Sequence, residues 1–278
     1  LLFSLEQTGK KVFPDFNTCW HFDDKVGQKY LLEAIDAPLV STHIFYEKDD
    51  ALAWAEQTTY PKVFKLRGGA GSANVKLVKT KHDAVKIINK AFGKGFPQFD
   101  RLEYLKEQIR KIKIGKESFI MGMIKGWGRL FISTTYAKIK GPEKGYVYFQ
   151  DFIPANDSDT RVIVIGDKAF AIKRMVRKND FRASGSGLII YKKDEIDTRC
   201  ISIAFEISEK LKFQCMAYDF VFDRENRPQI VEISYGFSPE GYTACPGYWD
   251  NNLNFHEGAF NPYGWMVEQV LSKRNSKY

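Results

Sequence analysis

Two carboxylates inside apolar strand patterns constrain this chain more than any other feature of the sequence. Asp219 lies in the run 218–222 and Glu232 in the run 230–234, each surrounded by apolar residues. The polar stretch between these runs contains a proline just before the second run, which predicts an antiparallel β-hairpin. If both side chains lie on the same sheet face, they can bind one cation. The alternative is a pair of acids at the sheet edge, neutralised by surface Lys or Arg.

A glycine-rich stretch, 67–72, follows the apolar run 63–66. It matches neither the P-loop pattern nor the glycine spacing of dinucleotide-binding folds. On its own, it predicts a flexible hairpin loop as readily as a phosphate-binding loop. Lys65 lies inside this apolar run, which immediately precedes the loop, and a lysine among core residues is uncommon unless it faces a site. Its position favours phosphate binding.

The remaining sequence alternates helical and strand patterns, which indicates an α+β protein. Residues 93–116 interrupt this alternation as a charged insertion whose role the sequence does not define. Helices are predicted over 25–35, 82–92, 198–211 and 262–273, and a further helix is predicted to be capped by Asp49-Asp50 and to end at residue 57. Strands are predicted over 63–66, 74–78, 119–124, 146–153, 161–165 and 169–176.

Composition excludes several classes of protein. The 278 residues, 44% of them hydrophobic, can bury one large core or two small ones. The apolar runs are much shorter than the ~20 residues of a membrane helix, and the first residues lack the features of a signal peptide. Four dispersed cysteines indicate reduced thiols and a cytoplasmic protein. The net charge of +8 favours anionic ligands, but the basic residues are spread along the chain, which disfavours a nucleic-acid partner.

The order of these features resembles the ATP-grasp superfamily. Asp24-Lys25 precede a helix, Lys65 precedes the glycine-rich loop, and the strand 148–153 and the carboxylate hairpin follow. The stretch 158–184 is similar to the ribosomal-protein glutamate ligases in particular. The resemblance covers residues 24–239.

This resemblance implies an α+β ATP-grasp fold in which two α+β subdomains hold ATP between them. It implies an N-terminal subdomain with a lid loop at 21–153 and a C-terminal subdomain with the magnesium site at 154–278. Residues 1–20 are then the end of a preceding domain.

The resemblance also implies roles in nucleotide binding. The two lysines contact the phosphates of ATP, the glycine-rich loop covers them, and the strand ending at 153 recognises adenine, with one aspartate near the ribose. Ordinary core packing is the alternative for this strand. The implied nucleotide-binding residues are Lys25, Lys65, Gly68, Gly69, Gly71, Ser72, Asp151, Phe152, Ile153 and Asp159.

The implied magnesium ligands are Asp219, Glu232 and Ser234. The family has Asn two residues after the glutamate, where this sequence has Ser234, so weaker affinity or altered geometry is expected. Arg182, with Arg174 as a second candidate, is implied to stabilise the charge of the transferred phosphoryl group. A solvated surface position is the alternative for both arginines.

The implied reaction is ATP-dependent ligation of a carboxylate to an amine. A substrate carboxylate attacks the γ-phosphate, giving an acyl phosphate and ADP, and the amine then displaces phosphate. The expected cofactors are ATP and Mg²⁺, and the expected partners are small-molecule or peptide carboxylates and amines. Two alternatives remain open: a kinase that phosphorylates a hydroxyl, and a nucleotide-binding protein with impaired catalysis. The segment 235–249 either shapes the acceptor side or packs as a long loop.

Overall fold

The computed structural model describes residues 1–69, 74–97, 141–176, 180–183 and 185–271, together with residues 109, 112, 118 and 139. The predicted strand 119–124, most of the predicted insertion, and the loop residues Gly71 and Ser72 lie outside the described part of the chain.

The predicted helices and strands that lie in the described part of the chain are present to within a few residues at each end, and the structure adds short helices before residue 20 and strands after residue 246 that were not predicted. Asp24, Thr80 and Asp197 cap three of the helices by accepting a hydrogen bond from a backbone amide of the first turn. The helices are α1 (Leu2–Gln7), α2 (Phe16–Cys19), α3 (Lys25–Glu33), α4 (Lys48–Gln57), α5 (Lys81–Ala91), α6 (Thr198–Lys210) and α7 (Pro262–Leu271). The strands are β1 (Thr42–Phe45), β2 (Lys62–Lys65), β3 (Val75–Val78), β4 (Val147–Asp151), β5 (Ser158–Ile165), β6 (Lys168–Met175), β7 (Ile189–Ile190), β8 (Cys215–Phe222), β9 (Pro228–Ser234), β10 (Gly247–Asp250) and β11 (Phe255–Glu257).

The chain forms two compact units that alternate along the sequence. Unit 1 comprises Leu1–Thr42, Arg67–Ala73 and Asp151–Tyr278, and unit 2 comprises His43–Leu66 and Asn74–Gln150. The predicted division at residue 153 differs from these bounds. The physical reason is that α3 and the segment after it belong with the C-terminal sheet: Leu32 lies in its core, and the amide of Val40 donates to the carbonyl of Ile230.

Unit 1 is built on an antiparallel sheet with the strand order β11-β10-β6-β5-β8-β9, and β7 pairs with β6. One face packs against α6, with Val162, Val164 and Met216 fully buried. The opposite face, which carries Ile163 and Phe170, is covered by residues that follow β9. The covering residues include Tyr242, Cys245 and Trp265. Each face therefore has its own apolar core, as the alternation of side chains along a strand requires.

Unit 2 contains a sheet with the strand order β1-β4-β2-β3. Its core joins Phe64 of β2 and Phe149 of β4 to the helices α4 and α5, which bury alanines and Ile88. Small alanine side chains allow these helices to pack closely. None of the helices in the described part of the chain combines the length and hydropathy that crossing a membrane requires.

Candidate functional site

The carboxylate hairpin forms as predicted, from β8 and β9. Asp219 lies directly opposite Glu232, and Ala217 lies opposite Ser234. Because directly paired residues share a sheet face, as do residues two apart on a strand, Asp219, Glu232 and Ser234 lie on one face. A β-bulge follows Asp219, so the regular ladder is interrupted beside this position.

Asp219 is buried and bound by two arginines. On the neighbouring strand β5, Arg161 donates from Nε to Oδ1 at 2.6 Å and from Nη2 to Oδ2 at 2.7 Å. Arg174 of β6 adds an ion pair with Oδ2 at 3.0 Å. Burial alone would raise the pKa of the Asp219 carboxyl, but these guanidinium groups bring it well below its usual range. The acid is thus neutralised by arginines, as the alternative interpretation expected, but inside the fold and not at a surface edge.

A second carboxylate completes this network. Asp159 of β5 lies opposite Arg174, whose Nε and Nη2 donate to it at 2.7 and 2.5 Å. We call Asp159, Arg161, Arg174 and Asp219 the charge cluster, since two acids and two bases neutralise one another on one sheet face. Arg174 is 7% exposed, so the surface interpretation of this residue is wrong.

Tyr242 extends the charge cluster toward the segment that covers this face. Burial opposes the charge of Arg161, but Asp219 and then the Tyr242 phenol raise the pKa of its guanidinium above the usual value. Tyr242 itself is buried, in the short 3-10 helix Pro239–Tyr242. At this residue, the segment 235–249 therefore contacts the charge cluster.

Glu232, the second hairpin carboxylate, lies in a more open position. Its side chain is 33% exposed, and its Oε1 is 3.3 Å from Nζ of Lys25. Lys25 is buried, and its Nζ also donates to the carbonyl of Gly69 at 2.7 Å. The predicted phosphate lysine is thus held by the glycine-rich stretch on one side and by the predicted metal hairpin on the other.

The beginning of the glycine-rich stretch is tied to the beginning of α3. Arg67 donates from Nε and Nη2 to the Asp24 carboxylate at 2.8 and 2.5 Å. The amide of Gly69 donates to Asp23 at 2.6 Å, and the amide of Lys25 donates to the carbonyl of Arg67 at 3.0 Å. We call residues 23–25 and 67–69, joined in this way, the loop clasp. Gly69 has φ +117°, a backbone conformation that glycine adopts most readily.

Arg182 is held locally. Its guanidinium donates to the carboxylate of Asp180, two residues earlier, at 2.7 to 3.0 Å. Between them, Phe181 lies edge-on to Phe152 with ring centroids 5.9 Å apart. The residue before one predicted catalytic arginine therefore contacts one predicted adenine-binding residue, and the Arg182 side chain remains 28% exposed.

In unit 2, Lys65 is buried, and its Nζ donates to Oε1 of Gln150 at 2.7 Å. Gln150 is the residue before the predicted adenine-binding strand segment and is 2% exposed. This contact gives the lysine a polar partner in an otherwise apolar strand, as a buried ammonium group requires. In unit 1, the amide of Asp151 donates to the carbonyl of Ser41 at 2.8 Å.

The sequence interpretation missed Arg161, Tyr242, Gln150 and the partners of the loop clasp. For Arg161, a signal was present: it follows Asp159 by two residues at the start of the predicted strand 161–165, and in β5, which begins at Ser158, both side chains lie on one face. For Asp24 and Arg67, no local signal exists, because 43 residues separate the partners.

The donor set of the hairpin fits a hard cation. Among the described residues, no three His, Cys, Asp or Glu side chains form a metal-binding group. Asp219, Glu232 and Ser234 offer only oxygens, which Mg²⁺ prefers, and nucleotide phosphates and water can complete its shell. Asp219 accepts three bonds from guanidinium groups, which leaves about one of its roughly four acceptor directions. Ser234 Oγ accepts one bond, from the amide of Gly236 at 3.2 Å, and keeps further acceptor capacity.

Comparison with known proteins confirms the predicted fold. Residues 129–242 match the family model of the RimK-like ATP-grasp domain. The alpha-aminoadipate–LysW ligase LysX of Saccharolobus solfataricus is 20% identical over 231 residues, which cover 83% of this chain and 67% of the relative. The predicted resemblance to the ATP-grasp superfamily and its RimK-like ligases is therefore confirmed.

Solved structures lead to the same fold. The biotin carboxylase domain of Hydrogenobacter thermophilus 2-oxoglutarate carboxylase, crystallised with MgADP, superposes with a TM-score of 0.57 at 12% identity over 99% of this chain. This chain spans about half, 51%, of that carboxylase chain. The ATP-grasp ligase PsnB, in complex with a minimal precursor, gives a TM-score of 0.54 at 13% identity over 97% of this chain and 67% of PsnB.

Proposed function

We propose that the chain is an ATP-dependent carboxylate–amine ligase that uses Mg-ATP to form an acyl phosphate. The observation that carries the proposal is the hairpin: two carboxylates directly opposite each other on one sheet face, with Lys25 beside Glu232 and two arginines around Asp219. The ligase activity of LysX and the MgADP in the carboxylase structure support the reaction class and the nucleotide.

In this proposal, Lys25 and Lys65 bind the phosphates together with Gly68 and Gly69. Each ammonium group is already oriented by an acceptor, the Gly69 carbonyl or the Gln150 amide oxygen, so little freedom is lost when phosphate binds. Asp151, Phe152 and Ile153 recognise adenine, and Asp159 lies toward the ribose. Gly71 and Ser72 would complete the phosphate loop but lie outside the described residues.

Asp219 and Glu232 would hold Mg²⁺, with Ser234 as a weaker third ligand. When bound, the ion would neutralise phosphate charge during phosphoryl transfer. Arg161 and Arg174 keep Asp219 ionised and fixed, so they act on the ligand rather than on the substrate. Arg182, which is partly exposed, is the arginine that stabilises the transferred phosphoryl group and the acyl phosphate.

A second candidate function is nucleotide binding with impaired catalysis. The observation that favours it is the environment of Asp219, whose oxygens already accept three guanidinium hydrogen bonds. A metal must share this carboxylate with Arg161 and Arg174. Ser234 adds a weaker donor than the amide that the family resemblance implies.

The test measures ADP and inorganic phosphate separately, with Mg-ATP and panels of carboxylates and amines. A ligase releases both products only when carboxylate and amine are present together. A kinase acting on a hydroxyl releases ADP without phosphate, and tight ATP binding without turnover supports the second candidate. Glu232→Gln should abolish turnover, whereas Glu257→Gln, on the exposed end of β11, should not.

A further inference from the structure

Three side chains of the loop clasp, those of Asp23, Asp24 and Arg67, are not part of the proposed nucleotide site. Asp23 and Asp24 carry no predicted contact with ATP, yet both hold the glycine-rich stretch, through the Gly69 amide and the Arg67 guanidinium. The same Gly69 orients Lys25, whose Nζ lies 2.7 Å from the Gly69 carbonyl. Fixing this glycine therefore fixes the predicted phosphate lysine.

Asp24 has two separable tasks. Its Oδ1 caps α3 by accepting from the amide of Gly27 at 2.9 Å, and both its oxygens accept from Arg67. Burial raises the pKa of the Asp24 carboxyl, but Arg67 and the Gly27 amide outweigh burial, and the pKa lies below its usual value. An Asn at this position keeps the capping oxygen but loses the ionic, bidentate pair.

We infer that Asp24 is a positioning residue for the nucleotide phosphates, acting through Arg67. The inference rests on the proposed function, since it concerns the same phosphate site. The Asp24–Arg67 pair holds the start of the glycine-rich stretch against the start of α3, and so determines where Gly69 meets Lys25. Neither Asp24 nor Arg67 needs to touch the nucleotide for this effect.

Asp197 provides a matched control within the chain. It also caps a helix, α6, by accepting from the Arg199 amide at 2.9 Å, and it also binds an arginine side chain, that of Arg199. Its arginine is two residues away and lies outside the loop clasp. Asp197→Asn therefore removes a capping carboxylate and its ion pair without touching the glycine-rich stretch.

The experiment compares Mg-ATP and adenosine binding by calorimetry for the full chain, Asp24→Asn and Asp197→Asn. We expect Asp24→Asn to weaken ATP binding about fivefold, the upper range for a partly exposed ion pair, and to leave adenosine binding unchanged. Asp197→Asn should change neither. Equal ATP affinity of Asp24→Asn and the parent overturns the inference, as does an equal loss of ATP and adenosine affinity, which indicates a purely structural role.

A double-mutant cycle and hydrogen exchange complete the test. If Asp24 acts through Arg67, the double variant Asp24→Asn/Arg67→Gln binds ATP no more weakly than the weaker single variant, and additive losses contradict the inference. In the nucleotide-free protein, the hydrogen-exchange rate of the Gly69 amide should be higher in Asp24→Asn and in Arg67→Gln than in Asp197→Asn. An exchange rate equal to that of the parent also overturns the inference. If the parent protein binds no ATP but the exchange rate of the Gly69 amide still depends on Asp24, the proposed function is refuted, whereas the role of Asp24 in holding the loop clasp is not.

Discussion

The charge cluster and the loop clasp each contain a bidentate Arg–Asp ion pair, but the two pairs differ in solvent exposure. Arg161 binds Asp219 and Arg67 binds Asp24 through two parallel hydrogen bonds each, with similar lengths of 2.5 to 2.8 Å. In the charge cluster, the Arg161 and Asp219 side chains are 23% and 11% exposed. In the loop clasp, the Arg67 and Asp24 side chains are 54% and 18% exposed.

Because the hydrogen bonds are alike in length, we expect the difference in solvent exposure to decide what each ion pair contributes to stability. Where water is excluded, removing one partner leaves a buried charge that nothing replaces. Where water has access, it hydrates the remaining partner and the loss is small. We therefore expect the charge cluster to support the fold and the metal hairpin, and the loop clasp to set loop position with little effect on stability.

The strongest test of this contrast compares Asp219→Asn with Asp24→Asn. Loss of the Asp219 charge leaves two buried guanidinium groups with one carboxylate, so we expect a loss of about 3 to 5 kcal/mol in unfolding free energy. Asp24→Asn should cost less than about 1 kcal/mol. Urea denaturation of both variants measures the difference, and equal losses would show that the two environments are equivalent. Magnesium-dependent turnover should disappear in Asp219→Asn.

His21 allows a second test, because it lies buried beside the loop clasp without an ionic partner. It packs against Trp20 and Phe213, and neither ring nitrogen has a hydrogen-bond partner among the described residues. Burial lowers the pKa of its imidazole from 6.5 to about 4. The folded protein therefore keeps His21 neutral at a pH where the unfolded chain binds a proton.

The sign of the resulting pH dependence follows from this difference. Stability should fall as pH drops from 6.5 toward 4, by up to about 3 kcal/mol at the lower limit. His21→Phe keeps an aromatic ring and should remove this part of the acid sensitivity, whereas His256→Gln, at a half-exposed position, should not. Denaturation at pH 7, 5.5 and 4.5 measures the effect. A parent and a His21→Phe variant with the same pH dependence would contradict the buried, unpartnered environment.

The sequence predicted the hairpin because its information is local. Alternating apolar residues around Asp219 and Glu232 define two strands, and the polar turn between them predicts that these strands pair. The β-bulge beside Asp219, which the pattern does not predict, sets the register that places the two acids opposite each other. Lys65 was recognised for the same reason, as a charge that interrupts an apolar run. Periodicity also predicted the helices α3, α5 and α6 to within two residues of each observed end.

The environment of these residues could not be predicted in the same way. Whether Asp219 binds a surface lysine or buried arginines depends on which strand lies next to β8, and strand order is not written in a local pattern. The approach of Tyr242 to Arg161 depends on how the segment after β9 folds back over the sheet. Residues 24–42 join unit 1 for the same reason, since Pro38 and Val40 pair with Ile230, a residue far away in the sequence.

Lys65 provides a further test in unit 2, because its buried ammonium group donates to the amide oxygen of Gln150. Lys65→Ala should weaken ATP binding by about 1.5 to 3 kcal/mol, since a charge-assisted contact with phosphate is lost. Lys86→Ala, on the exposed surface of α5, is the matched control and should leave the affinity unchanged. Calorimetry of the two variants decides the assignment. Equal ATP affinities of the Lys65→Ala and Lys86→Ala variants would show that Lys65 has a structural role, in its hydrogen bond with Gln150.

The smallest expected effect is a change in the Mg²⁺ requirement when Ser234 is substituted. Ser234 is the last residue of β9, lies opposite Ala217 and is not part of the charge cluster. If Ser234 is the third magnesium ligand, Ser234→Asn supplies a stronger carbonyl donor and should lower the Mg²⁺ concentration for half-maximal ATP binding by about threefold. Ser234→Ala removes the hydroxyl and should raise that concentration about twofold.

Crowding limits the gain in the Asn variant. Ser234 Oγ accepts from the Gly236 amide, and a side-chain carbon added at Gly236 would lie 2.6 Å from the Phe22 ring, so space beside Ser234 is restricted. Extra volume in a packed site typically costs about 1 to 3 kcal/mol, which can offset the better ligand. The Ala variant is therefore the cleaner measurement, since it adds no volume. If both variants titrate with Mg²⁺ like the parent, Asp219 and Glu232 are the hairpin's two metal ligands, and the buried acid and the open acid share the ion without a third.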